Sequence, residues 1–167
     1  MKAAVTSPKS IARRPAAGYE QDFYAWLLTQ VAALRERRFR DLDLKNLTEE
    51  IEELARSLAR ELRNRLKVVL VHLLKWQFQP SKRSPSWDLT LLEQRDQLGQ
   101  LLEQNPSLRR QLPELIQKVY PAAEKTAAKE IKLDSSALQR TFPARCPWTP
   151  AQNLDEDYLP NGARPRS

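Results

Sequence analysis

Residues 46–79 read NLTEEIEELARSLARELRNRLKVVLVHLLKWQFQ, and this stretch decides the fold. Leu47, Ile51, Leu54, Leu58, Leu62, Leu66, Val69 and Leu73 recur at steps of three and four, the period of one helix face. No proline lies between Pro15 and Pro80, and the residues between are rich in Leu, Arg, Glu and Ala. Asn46 followed by Glu49 has the spacing of a capping box. Glu49, Glu50, Glu52 and Glu53 load the first turns with the charge that a helix N-terminus favours, and an Arg/Lys series from Arg56 to Lys75 follows. The spacing predicts one helix of about 32 residues, roughly 48 Å long at 1.5 Å per residue.

Upstream, a first helix is expected from about Tyr19 to Arg37, with Glu20 and Asp22 in its first turn. Phe23, Leu27, Val31 and Leu34 share one face of it, with Trp26 on the flank. Phe39, Leu42 and Leu44, in and just after the charged link RERRFRDLD, are expected to tuck into the core. Downstream, SKRSPS (81–86) reads as a turn and about Ser86–Gln104 as a third helix, carrying Leu89, Leu91, Leu92, Leu98, Leu101 and Leu102. Asn105-Pro106 stops it, and Pro106–Leu112 is a short turn. A fourth helix runs from Pro113 to about Ile131, with Pro121 expected to kink or split it. The proline-rich stretch after Asp134 carries Phe142, Trp148, Tyr158 and Leu159, too apolar for an idle tail. It is expected to wrap the bundle in extended form as far as about Pro160. The fold class is therefore all-α: a bundle of about four to five helices on one long central helix. Residues 19–160 form a single helical domain in this reading, and residues 1–18 and 161–167 are expected to be disordered tails.

Scarce residues exclude whole classes of chemistry. The chain of 167 residues has three glycines, Gly18, Gly99 and Gly162, too far apart for a phosphate-cradling loop. It has one histidine, His72, and one cysteine, Cys146, too few for structural zinc or for a pair of Glu-x-x-His motifs. A single cysteine forms no intramolecular disulfide and fits a reducing compartment. No apolar run is long enough for a membrane span, and the basic N-terminus has no apolar core of the secretory kind. No cofactor, no metal and no membrane are expected. The net charge is +7, but residues 1–18 hold four basic groups and no acid. More than half of the excess therefore falls outside the expected domain, which weakens the case for nucleic acid as a partner.

The richest polar cluster joins Glu61, Arg65, His72, Trp76 and Gln79 along one helix face to Arg83, Ser84 and Trp87 in the following turn. It reads as a cleft with a histidine near neutral pKa, a carboxylate, arginines for an anion and aromatic walls. The competing and preferred reading is a polar network that pins the long helix to the turn. Among the four glutamates only Glu50 points near the apolar face, and capping and helix pairs such as Glu52–Arg56 account for the others better than magnesium does. Cys146 follows Arg145, but its only available base is His72, so it is expected as a buried structural thiol. Arg35, Arg37, Arg38 and Arg40 are interleaved with Glu36, Asp41 and Asp43 and carry one aromatic, Phe39, which describes a solvated loop better than a phosphate track.

Five segments in order carry a resemblance: YEQDFYAWLLTQ (19–30), RFRDLDLKNLTEEIEEL (38–54), HLLKWQFQPSKRSPSW (72–87), QRDQLGQLLEQNPSLRRQL (94–112) and FPARCPWTPAQNLDEDYLP (142–160). Over roughly Tyr19–Pro160 the chain resembles the bacterial "domain of unknown function 29" family, abundant in cyanobacteria. The resemblance implies an all-helical, soluble, cytoplasmic bacterial protein. It carries no established activity or catalytic residues, so it assigns none here. The leading expectation for function is a non-enzymatic interaction or regulatory module with a protein partner. A nucleic-acid-binding or nuclease-like protein comes second, and a cryptic enzyme or anion site around His72 and Arg83 third. Oligomeric state is left open by the sequence.

Overall fold

The computed structural model describes residues 18–133 and 140–161, and every regular element among them is helical. The expected tails, except Gly18 and Asn161, and the start of the C-terminal wrap lie outside the described residues. Helix α1 spans Phe23–Arg35. It starts later than the sequence suggests because Gly18–Asp22 closes a turn, with the Gln21 and Asp22 N–H groups donating to the Gly18 carbonyl. The Asp22 carboxylate then caps the helix by accepting from the Ala25 N–H at 2.9 Å. At its other end the Arg37 N–H donates to the Leu34 carbonyl and the Arg38 N–H to the Ala33 carbonyl, a Schellman motif with Arg37 at φ 56°.

Helix α2 spans Leu44–Phe78, 35 residues and about 52 Å. Its N-terminal acceptor is Asp43, not Asn46. The Asp43 carboxylate accepts from the Asn46 N–H at 3.3 Å and from the Asn46 side-chain amide at 2.6 Å. Those two bonds hold the Asp43 carboxyl below its usual range. A carboxylate immediately before the helix outcompetes the amide of Asn46, so the expected Asn46/Glu49 capping box does not form.

The chain divides into two compact units, one ending at Leu54 and one beginning at Ala55. The apolar stripe of α2 changes character along its length. Leu62, Leu66, Val69 and Leu73 are fully buried, whereas Ile51 and Leu54 are 65% and 64% exposed. From Val69 to Trp76 the helix is buried on nearly every side, as a helix apolar all round must be.

In the second unit, α2 packs with α3 (Pro85–Gln104), the one-turn α4 (Pro106–Arg109), α5 (Leu112–Glu130) and the short α6 (Pro150–Leu154). Leu91, Leu98 and Leu102 of α3 and Ile116, Val119 and Tyr120 of α5 complete the core, and Ala123, Ala127 and Ala128 permit close approach at the end of α5. Leu89, expected among the apolar residues of the third helix, is exposed. Pro121 does not split α5. It lies on the exposed face, where the carbonyl it leaves without a partner can reach water. The C-terminal segment does lie against this core, through Phe142, Cys146, Trp148 and Leu159, with α6 as a helical turn within it. Lys132, at φ 60°, closes α5 as Arg37 closes α1.

In the first unit the buried face of α1 is turned about a quarter of a turn from the one the sequence suggests, onto the flank that carries Trp26, with Leu27 half-buried. Trp26, Gln30 and Ala33 are buried, while Phe23, Val31 and Leu34 are 44%, 40% and 47% exposed. Trp26 takes the inner position by packing against the rings of Tyr19 and Phe23, with centroids 5.0 and 5.7 Å away. Gln30 joins it there because its side-chain oxygen accepts from the Asp43 N–H at 2.9 Å, tying α1 to the start of α2. Phe39 and Leu44 do not tuck in and are largely exposed.

Candidate functional site

The end of α2 is where the sequence places its cluster. A helix leaves its last four carbonyls without intrahelical partners. Arg83 reaches back from the turn to one of them, its Nε donating to the Trp76 carbonyl at 3.0 Å. Its guanidinium then lies over the Trp76 ring, 5.3 Å from the centroid. Trp76 is fully buried, and its indole N–H has no hydrogen-bond partner among the described residues. Beside it, the buried Lys75 directs its ammonium to Glu130 of α5 at 2.6 Å and lies 4.4 Å from the centroid of Trp87. Lys75, Trp76, Arg83 and Trp87 are thus brought together as two stacked cation–ring pairs.

His72 sits one turn earlier and is half-buried. Its Nδ1 lies 2.9 Å from the Val68 carbonyl on its own helix, which places the proton on Nδ1 and leaves Nε2 as an acceptor. Burial pushes its pKa down, and Lys75 pushes the same way against the Val68 bond and Glu130. Glu61 accepts from Nε and Nη2 of Arg65, at 2.9 and 2.8 Å, and Arg65 extends to the side-chain oxygen of Gln94 on α3. Ser84 and Ser86 share a hydrogen bond at 2.9 Å in the turn. Gln79 is half-buried, its N–H donating to the Lys75 carbonyl. Glu50 belongs to the first unit, where the Tyr19 hydroxyl donates to it at 2.5 Å. That bond and the neighbouring glutamates push the Tyr19 pKa up to about 12.

Two residues outside the expected cluster bind main-chain groups of the C-terminal segment within the second unit. Arg95 of α3 is buried and donates to three main-chain carbonyls of the C-terminal segment: Nε to Asn153 at 3.1 Å, Nη1 to Tyr158 at 2.9 Å and Nη2 to Gln152 at 3.2 Å. Its signal is in the sequence: Leu91, Arg95, Leu98 and Leu102 share a helix face, so an arginine stands at a core position. Gln117 of α5 grips the main chain of Cys146 from both sides, accepting from its N–H at 3.3 Å and donating to its carbonyl at 3.4 Å. The Cys146 thiol is buried, and burial pushes its pKa up.

Among the described residues, no three His, Cys, Asp or Glu side chains gather closely enough to hold a metal ion, and no helix is long and apolar enough to cross a membrane. In the loop after α1, Arg38 is engaged by both Glu36 and Asp41. A groove of about 290 Å³ in the second unit is lined by Arg63, Lys67 and Lys118 over Leu115, Val119 and Ala122, with Lys118 paired to Glu114 at 2.7 Å. No curated protein and no solved structure matches the chain. The model of one family, described as "Domain of unknown function DUF29", matches residues 19–159 of the 167, and the chain belongs to that family.

Proposed function

We propose that this protein is a non-enzymatic interaction module and that its first unit makes the contact. One observation carries the reading. Among the described residues, nine of the ten large hydrophobic side chains that stand exposed lie in residues 18–54: Phe23, Tyr24, Leu28, Val31, Leu34, Phe39, Leu44, Ile51 and Leu54. Exposed apolar residues scattered singly are ordinary, but such a concentration in one short stretch marks a surface that another surface covers. In the second unit, by contrast, the large apolar residues are buried in the core or packed partly buried against it, and among the described ones only Leu89 stands exposed. The basic loop that would favour nucleic acid has Arg38 already engaged by two carboxylates.

The test is affinity capture from cells that make the protein, comparing the natural chain with Val31→Glu and Leu54→Glu. A partner retained by the natural chain and lost from both variants supports the reading. Equal capture by all three, or a catalytic turnover in the purified protein that Val31→Glu leaves intact, overturns it.

A further inference from the structure

Resting on that reading, we infer that the partner of α1 is a second copy of this chain, bound by antiparallel packing of α1 on α1 about a two-fold axis. Residues 23–34 contain no charged side chain. Phe23, Tyr24, Leu28, Val31 and Leu34 lie within one arc of the helix at 100° per residue, and all five are exposed. At roughly 100 Å² of exposed surface apiece they offer on the order of 500 Å². That approaches the roughly 600–1,000 Å² that each partner of a stable complex buries, and the charged ends of the helix supply more.

Those ends are what favour a second copy over an unrelated partner. Glu20 and Asp22 stand at the N-terminal end of α1, and the Tyr19–Glu50 bond brings the glutamate turn of α2 beside them. Arg35, Arg37 and Arg40 stand exposed at the C-terminal end, where the two acids Glu36 and Asp41 are both paired with Arg38. The face is therefore apolar along its length, acidic at one end and basic at the other. A two-fold axis across its middle lays each acidic end on the partner's basic end, twice over, and also opposes the two helix dipoles favourably. A parallel pairing would set like charges together at both ends. Leu28, 52% exposed, lies at the midpoint of residues 23–34 and so falls on the axis, where each copy meets its own counterpart.

The experiment is sedimentation equilibrium of the full chain, with disulfide trapping. The natural chain is expected to be a dimer at about 100 µM, with Leu28→Arg raising its dissociation constant more than tenfold by placing two cations on the axis. Arg35→Glu alone is expected to weaken the dimer several-fold, and adding Glu20→Lys to it to restore the affinity, as only the antiparallel register requires. Cys146 is the sole cysteine and is buried, so Leu28→Cys is expected to form a disulfide-linked dimer on mild oxidation while the exposed Gln100→Cys does not. The trap reports on the axis even if Leu28→Arg fails to fold. A monomeric natural chain, or a dimer that neither Leu28→Arg weakens nor Leu28→Cys links, overturns the inference. A monomer that still captures a partner through Val31 overturns the dimer and leaves the interaction reading standing. A monomer that captures nothing overturns both.

Discussion

Replacing Arg95 with lysine keeps the charge and removes the fork. The guanidinium reaches three carbonyls, those of Gln152, Asn153 and Tyr158, at 2.9–3.2 Å from three different nitrogens, whereas the single nitrogen of an ammonium cannot span that fork and is expected to keep one of them. A hydrogen bond from a charged group to a buried acceptor contributes about 1.5 kcal/mol or more, so losing two costs about 3 kcal/mol. Because all three carbonyls belong to the C-terminal segment, the loss is expected in the free energy that holds that segment on α3. At 1.4 kcal/mol per factor of ten, the population in which the segment is open rises about 100-fold. The chain contains its own reporter. Cys146 is the only cysteine, lies in that segment and is buried, so a thiol reagent reacts when the segment opens. The labelling rate of Arg95→Lys, measured in native buffer at constant pH, is expected to exceed that of the natural chain by about two orders of magnitude. Arg65→Lys serves as the control for a general loss of charge–amide bonds, since Arg65 bonds Glu61 and Gln94 and touches no part of the segment. A rate within about threefold of the natural chain would show that the two lost bonds contribute almost nothing net, and that the Gln117 bonds and the apolar packing of Phe142, Trp148 and Leu159 suffice to retain the segment.

Two further outcomes follow from local chemistry. The folded His72 pKa lies below its ordinary 6.5, chiefly through burial, so the unfolded chain binds the proton more readily. Its stabilising contribution is complete above pH 6.5 and is lost as pH falls below it. Urea titrations at neutral and mildly acidic pH are expected to show a loss of stability that His72→Gln reduces, and identical losses in the two proteins would refute the shift. Lys132→Gly relieves an L-residue held at φ 60°, where the left-handed region costs about 1 kcal/mol, partly offset by the greater freedom of glycine in the unfolded chain. The melting temperature is expected to rise by about 2 °C, and a fall would show that Lys132 makes a contact that outweighs the strain.

The helices were legible because their signals are local. Pro85 and Asn105-Pro106 bound α3, and Leu62 to Leu73 declare a buried face by spacing alone. What misled is equally local in character. The apolar period of α1 marks a continuous stripe but not which body covers it, so Phe23, Val31 and Leu34 read as core although they face outward. Asn46 and Glu49 have capping spacing, yet Asp43 stands nearer the helix start with a full charge. Of the candidate cluster, Arg83 and Trp76 do meet, because a turn of six residues returns the chain onto the end of α2. Lys75 was hidden by its charge, since an ammonium on an apolar face gains its place from Glu130, 55 residues away, and from the Trp87 ring. Arg95 stood in plain view at a core position, but its partners are main-chain carbonyls, and no residue type announces those.

Five hydrogen bonds made by Arg95 and Gln117 fall on peptide groups of the C-terminal segment, and those five do not depend on which side chains the segment carries. Beside them the inward side chains Phe142, Trp148 and Leu159 seat the segment by apolar packing, so its inner face is fixed and its outer face is not. Outward positions such as Ala144, Arg145 and Ala151 are therefore open to substitution without loosening the attachment. The segment can diversify on its outer side, or carry an engineered label there, while the molecule beneath it stays the same.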